Sequence, residues 1–430
     1  MKSFFRSLVV SILTIEARLL LRRHKPTIVA ITGSVGKTST KDAIYAAVKD
    51  SVSARKSQKS FNSEIGVPLT ILGLPTGWDN PARWLWNIID GAFTVLFTRT
   101  YPQVLVLETG VDAPGDMEQL VSWLKPHVVV LTRLPDVPVH VEQFSSPEAV
   151  VEEKMRLVHG MHPEGTLVYN HDDDIIKAQL SEVRQKTLGY GRYLPTDFKV
   201  TKDVIRYKDD VPTSITFSVK HGDETSDITL DGVVGTQHAL GCAAALAVAQ
   251  VLEVSSSDAA TGLQSLSTPP GRLRVISGIK GSVLIDDTYN SSPIALEHAL
   301  ETLSEIKYAK RRIAVLGDML ELGKYSSEEH RRLGKRAGEA CDILLTLGVR
   351  ARGFAEGALA NGLDDKTVFQ YDDVARAGRE LQAMLKPGDV VLIKASQGIR
   401  AERVVQEVMA QPDHAEQLLA RQDRDWKKVV

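Results

Sequence analysis

Apolar residues fall into two patterns along this chain: short unbroken runs, and longer stretches in which they recur every three or four positions. Residues 27–31 (TIVAI), 104–107, 128–131 and 167–169 are runs of the first kind and read as buried strands. Helix-like segments separate several of them, residues 37–49 first, and this alternation predicts a largely parallel sheet with helices on its faces. Between residues 198 and 230 the pattern becomes polar–apolar alternation, as in residues 214–219 (SITFSV), between turns that carry Asp and Gly. Antiparallel strands added at an edge of the main sheet are expected there. An Ala-rich helix follows at residues 238–251. Residues 265–272 (SLSTPPGR), with Pro269, Pro270 and Gly271, read as a linker. Beyond it a second strand–helix alternation starts, with runs at 283–285, 313–316, 343–347 and 390–393. The predicted fold class is α/β. A doubly wound central domain at residues 26–267 is followed by a smaller Rossmann-like α/β domain at 268–430.

Residues 1–25 form a separate unit, an amphipathic helix. The segment MKSFFRSLVVSILTIEARLLLRR is apolar with basic flanks, but Glu16 and Arg18 interrupt it and no small-residue cleavage site follows. Its longest uncharged stretch, residues 7–15, is too short to span a bilayer. Leu8, Ile12, Ile15 and Leu19 recur at helical spacing. Two readings of that stripe stand: packing on the first domain, or peripheral contact of residues 1–23 with a membrane surface. Residues 84–97 (WLWNIIDGAFTVLF) carry a single charge, Asp90, and predict a buried helix, with a face that meets a membrane or a partner as the second reading.

Composition narrows the class. At 430 residues the chain exceeds one ordinary core. With 43% hydrophobic and 25% charged residues and a mean hydropathy of −0.10, it reads as a water-soluble globular protein. A net charge of −2, with signs mixed, leaves no basic footprint for nucleic acid. Two cysteines, Cys242 and Cys341, make no disulfide framework and are expected as buried small apolar residues in a reducing cytoplasm. A monomer is expected, in the cytoplasm or at the inner face of the membrane.

The chemistry is concentrated at residues 32–40 (TGSVGKTST), between a predicted strand and a predicted helix. Gly33 and Gly36 let backbone N–H groups approach a phosphate. Ser34, Val35 and Ser39 complete the loop and the first helical turn. Lys37 supplies a point charge for the outer phosphates, and the Thr38 hydroxyl is placed for Mg²⁺. The helix N-terminus adds its positive end. A nucleotide polyphosphate and Mg²⁺ are therefore the expected ligand and metal. Glu108 ends a predicted strand beside this loop, where a carboxylate can hold Mg²⁺.

The loop resembles that of the Mur ligase superfamily, and further segments match in order. Residues 62–68 (NSEIGVP), 107–110 (LETG), 285–293 (IDDTYNSSP), 316–323 (LGDMLELG) and 394–400 (KASQGIR) resemble segments of its D-alanyl-D-alanine-adding branch. The likeness covers about residues 27–405. It implies an ATP-dependent amide-bond ligase that works through an acyl phosphate and adds an amino acid or a dipeptide to a peptidoglycan-precursor peptide. By position it implies that His140 helps hold a second metal ion and that Lys154 is the lysine these ligases carbamylate, giving an anion that binds Mg²⁺. It implies that Arg272, Asp287 and Asn290 reach the nucleotide from the second domain. Asn62, Lys394, Ser396 and Arg400 face the substrate in the same reading. Lys37, Lys154 and His140 are thus the expected catalytic set.

The chain departs from the pattern in three places. Only one helix precedes the phosphate loop, where the family places a domain that helps hold the UDP-sugar. A UDP-free, lipid-linked or differently held substrate is the corresponding expectation. Arg133 and Pro135 replace the Asn and Gly usual before the metal-binding histidine, and His238 and Gly241 stand where asparagines are usual. Two other functions stand beside the main one. Against a folylpolyglutamate-type or other amino-acid ligase speak the segments at 62–68 and 316–323. Against a nucleotide-binding scaffold without ligation speaks the joint presence of Lys37, Glu108, His140 and Lys154.

Overall fold

The apolar run at residues 27–31 becomes β1 (Thr27–Thr32), an interior strand of a nine-stranded sheet. The computed structural model describes residues 3–58, 61–78, 80–423 and 426. Residues 1 and 2 of the predicted N-terminal helix lie outside the described residues. The sheet comprises β1, β2 (Ala54–Lys56), β3 (Val104–Glu108), β4 (Val128–Leu131), β5 (Thr166–Asn170), β6 (Lys186–Gly191), β7 (Phe198–Lys208), β8 (Val211–His221) and β9 (Glu224–Asp231). Their order is β2-β3-β1-β4-β5-β6-β7-β8-β9. Pairing is parallel from β2 to β7, and β7–β9 close the edge as an antiparallel meander, where the alternating pattern predicts it.

Both faces of this sheet are covered, which is why its central strands are continuously apolar. Val29 and Ile31 enter one core with α2 (Lys37–Val48) and two later helices, Gln237–Val251 and Ser256–Gln264. Ile28 and Ala30 enter the other, with α1 (Ser3–His24), α3 (Gly66–Leu72), α4 (Pro81–Phe97), α5 (Asp116–Val121) and α6 (Pro147–His159). Ser146 caps α6 through its side chain, which accepts the Ala149 N–H, and Pro147 opens the helix.

The second sheet has six strands: β10 (Arg274–Ser277), β11 (Val283–Asp286), β12 (Arg311–Gly317), β13 (Ile343–Leu347), β14 (Val368–Tyr371) and β15 (Asp389–Lys394). The order is β10-β11-β15-β12-β13-β14, parallel except for β10. Ala314 and Leu316 of β12 pack with helices Pro293–Glu305, Ser326–Ala340 and Arg352–Ala360, and Ile313 and Val315 pack with Val374–Met384 and Glu402–Val408. Strands β2, β6, β10 and β14 escape the pattern because they are short or half-exposed and owe their form to a neighbour.

Two helices differ from expectation. The buried stripe of α1 is Val9, Leu13, Ala17 and Leu20, while Leu8, Ile15 and Leu19 stay 48%, 56% and 46% exposed. The helix is apolar on two adjacent faces, and spacing alone selects the wrong one. In α4 only Trp84, Asn87 and Gly91 are buried. Leu85, Trp86, Ile89, Phe93, Leu96 and Phe97 are exposed, so the predicted buried helix is instead half-seated with an apolar outer face. No described helix is long and apolar enough to cross a membrane. Cys242 and Cys341 are free and buried.

Candidate active site at the phosphate loop

β1 ends at Thr32 and the chain turns through residues 33–36 into α2. Gly33 has φ +139°, and a Cβ there would run into the Thr132 hydroxyl and the Arg133 backbone. Gly36, at φ +88°, precedes α2 in the left-handed conformation. Both positions need glycine. The Ser34 N–H donates to the Arg133 carbonyl at 2.7 Å, and Lys37 Nζ donates back to the Gly33 carbonyl at 2.8 Å. The buried hydroxyls of Thr32 and Ser34 have no partner. A cradle of glycine backbone, a helix N-terminus, a lysine and unsatisfied hydroxyls suits a polyphosphate.

Register sets the next group. Ile31 pairs with Glu108, so the carboxylate at the end of β3 lies beside the loop. Glu108 is 2% exposed. Its Oε1 accepts from the Thr38 hydroxyl at 3.2 Å and from Asn62 Nδ2 at 3.3 Å. Its Oε2 accepts no hydrogen bond and lies 3.8 Å from Lys41 Nζ. Among the described residues no three His, Cys, Asp or Glu side chains form a metal cage. A hydroxyl beside a buried, half-satisfied carboxylate fits Mg²⁺ all the same, since that ion completes its octahedron with phosphate oxygens and water.

Lys154, on α6, is 2% exposed. Burial first, and then the Lys37 ammonium, bring its amine down to about 7, against the pull of Asp112 and Glu153. The neighbouring Glu153 accepts the Met117 N–H at 2.8 Å, which fixes α6 against the start of α5. Lys37 is itself lowered by burial, with Arg272 adding to the effect and Glu108 and Asp112 opposing it. His140 has φ +67° and engages Glu321 of the second domain at 2.9 Å and Asp112 at 3.8 Å. Its partners are carboxylates at the domain boundary.

The second domain reaches the loop directly. Arg272 Nη2 donates to the Thr38 hydroxyl at 3.3 Å, and its guanidinium stacks on Tyr289 at 4.2 Å. His238 donates to the Arg272 carbonyl at 3.1 Å, with burial holding the imidazole at about 4 and therefore neutral. Lys394 and Asp287 form a buried pair at 2.6 Å, and Lys394 also donates to the Asn290 carbonyl at 2.9 Å. Ser396 Oγ accepts the Leu320 N–H at 2.9 Å and donates to the Ser291 carbonyl at 3.4 Å. Arg400 is drawn away into a buried network: it pairs with Glu402 at 2.6 Å, which also pairs with Arg421 at 3.0 Å. The structure thus gives Arg400 a place inside the second domain, whereas it gathers Lys37, Thr38, Asn62, Glu108, Lys154 and Arg272. Lys41 and Asp112 belong to no motif and join the site through packing, whereas Glu321 and Tyr289 lie within the matched segments at 316–323 and 285–293.

Comparison with known proteins agrees with this geometry. The family model for the Mur ligase middle domain matches residues 31–82 and 86–249, and that for the Mur ligase glutamate ligase domain matches residues 271–397. The UDP-N-acetylmuramoyl-tripeptide--D-alanyl-D-alanine ligase of Bacillus subtilis (strain 168) is 27% identical over 397 residues, covering 92% of this chain and 79% of that protein. The ligase of the same name from Synechocystis sp. is 28% identical over 396 residues, with 89% and 75% covered. The crystal structure of the Thermotoga maritima MurF ligase in complex with ADP superposes with a TM-score of 0.74 at 27% identity, over 93% of this chain and 83% of that one. The chain belongs to the Mur ligases and is an ATP- and Mg²⁺-dependent enzyme that joins a carboxylate to an amine.

Proposed function

We propose that this Mur ligase joins D-alanyl-D-alanine to the tripeptide of a peptidoglycan precursor. The observation that carries the reading is the constellation of buried Thr38, Glu108 and Lys154 with half-buried Lys37 and Asn62, closed by Arg272 from the second domain. The curated relatives named for that reaction run along nearly the whole chain. The peptide carboxylate attacks the ATP γ-phosphate to give an acyl phosphate and ADP. The dipeptide amine then attacks the acyl carbon, and the tetrahedral adduct expels phosphate and leaves the amide. Both steps build negative charge, so the protein's share is alignment and charge neutralisation. Lys37 and the loop N–H groups hold the phosphates, and Arg272 meets them from across the domain boundary. Thr38 and Glu108 would hold Mg²⁺, which supplies further neutralisation when bound. Lys154 is carbamylated in this reading: CO₂ adds only to a neutral amine, and burial leaves about half of this one neutral near pH 7, where an exposed lysine is almost wholly charged. Asn62 sits against Glu108 where the carboxyl end of the peptide arrives; Asp287, Asn290, Lys394 and Ser396 form the facing wall. His140, paired with Glu321, holds the two domains together over the site.

The same reading takes the enzyme as a monomer. It also places the enzyme in the cytoplasm at the inner face of the membrane, touching lipid through the apolar faces of α1 and α4. Exposed Arg18, Arg22, Arg23, Lys25, Arg83 and Arg99 flank those faces and complement anionic headgroups. Phosphate release with ATP, Mg²⁺ and UDP-N-acetylmuramoyl-tripeptide, with and without D-alanyl-D-alanine, tests the ligase reading. Release that requires both substrates and yields the pentapeptide mass supports it. Absence of turnover by a protein that binds ATP would refute this choice of substrates.

A further inference from the structure

A groove runs from the reaction centre down the flank of the first domain, between α1 and α5. Its upper chamber, about 630 Å³, begins at Asn62, Gly110 and Asp112, next to Glu108, and follows α1 past Thr14 to Arg18. Its lower chamber, about 420 Å³, shares Arg18, Ser122 and Trp123 with the upper one and opens where the chain enters β1, β4 and β5. The lower chamber is lined by Arg18, Arg22, Lys25, Lys125, His127 and His162, and by no acidic residue. The four long cations are exposed, and no carboxylate of the described residues pairs with them.

The two histidines add directed donors. His127 Nδ1 accepts the Ile28 N–H at 3.1 Å, and His162 Nδ1 accepts the Glu164 N–H at 3.3 Å. With Nδ1 accepting, the ring proton sits on Nε2 in each. The rings stack at 5.4 Å. Such a chamber suits a compact dianion with several acceptor oxygens. Its distance from the chemistry is also informative. From Arg6 to Arg22, α1 rises about 24 Å. An extended tripeptide takes about 10 Å of that, and the remainder accommodates a sugar and its arm.

We infer that the lower chamber binds the diphosphate of the acceptor's carrier, so that the acceptor peptide lies in the upper chamber with its carboxyl end at Asn62 and Glu108. The inference rests on the ligase reading above and names where the carrier is held. A nucleoside diphosphate and a lipid diphosphate share this chemistry, and the test separates them. The full chain, with ADP and Mg²⁺ present, is titrated with N-acetylmuramoyl-tripeptide, with its UDP ester, and with its polyprenyl diphosphate ester in detergent micelles. At least one ester is expected to bind about tenfold or more tightly than the free peptide. Arg22→Glu combined with Lys125→Glu, both confined to the lower chamber, is expected to abolish that gain and to leave the affinities for free peptide and ADP unchanged. Both side chains are exposed, so the variant keeps its fold, and Lys125→Gln serves as a milder second variant with a partial loss. The ester that shows the gain identifies the carrier. Equal binding of all three probes, or a gain that survives the double substitution, overturns the inference and leaves the ligase reading intact. Failure of all three to bind a protein that still binds ADP overturns the acceptor assignment and the inference with it.

Discussion

Lys154 is an amine placed where charge is disfavoured. Its burial is complete enough, and Lys37 near enough, that it titrates near 7 where an exposed lysine stays charged beyond 10. Carbamate formation therefore becomes favourable as pH rises through about 7 and is lost below it. For the unmodified protein, the unfolded chain binds the extra proton between about 7 and 10.5, so stability rises with pH across that window. At pH 8, stripping CO₂ from the buffer should lower the ligation rate and bicarbonate should restore it, while Lys154→Met should be inactive in both. A carbon-13 carbamate resonance that appears with labelled bicarbonate and is absent in Lys154→Met would confirm the modification; its absence in the parent protein would exclude it. Lys37→Ala should cost about 100- to 1,000-fold in ATP-dependent turnover, the scale of one lost preorganised charge donor. Wild-type turnover in that variant would remove the loop from the mechanism. Lys37, Thr38 and the two glycines are legible in the sequence because phosphate binding needs those residues at consecutive positions. Lys41 and Asp112 are not legible, since each looks like an ordinary surface charge until register and packing bury or pair it; Glu321 lies in the legible segment 316–323, but its pairing with His140 across the domain boundary is not.

At the scale of elements, α1 and α4 pack side by side at Glu16 and Gly91, with Arg23 donating to the Val95 and Leu96 carbonyls at 2.7 and 3.1 Å. Glycine at 91 leaves room for the Glu16 carboxylate, which is 8% exposed with one oxygen lacking a partner. Burial raises Glu16 to about 7 from the ordinary 4.5. The folded chain then binds the extra proton between those values, so this group's favourable state is fully present below about 4.5 and is lost as pH rises through about 7. Glu16→Gln should melt at a higher temperature than the parent at pH 8, and the two should converge near pH 4.5. An equal melting temperature at pH 8 would show that the carboxylate is solvated. Periodicity identified both helices, yet it misassigned the buried stripe of α1 and the degree of burial of α4. A helix with apolar residues on more than one side does not reveal in sequence which side meets the sheet.

The whole molecule assembles its site from two domains. Arg272 to Thr38 and His140 to Glu321 span the boundary. Arg272→Ala should therefore lower turnover by about 100-fold or more with the melting temperature little changed. Parent-like turnover would mean that the second domain does not act on the nucleotide through this residue. The outer apolar face sets a prediction at the same scale. In vesicle flotation at low salt, the full chain should float with anionic vesicles and remain below with zwitterionic ones. Trp86→Ser combined with Phe93→Ser should abolish flotation without changing turnover of a water-soluble substrate. Flotation unaffected by those substitutions, or none with anionic lipid, would exclude this face as a membrane contact.

The sequence alone determined the α/β class, the phosphate loop, most of the strands along the chain and the resemblance that names the chemistry. These are local quantities: hydrophobic periodicity records burial, and a phosphate loop is one continuous segment. Tertiary structure alone decided the rest. The parallel register of β1 and β3 brings Glu108 to Thr38. The depth of α6 neutralises Lys154. The contact between domains carries Arg272 to the loop and withdraws Arg400 into a structural network. The basic lower chamber likewise unites residues from α1, the approach to β4 and the approach to β5. No local pattern encodes such meetings, because they depend on the sum of packing along two sheets rather than on any one segment.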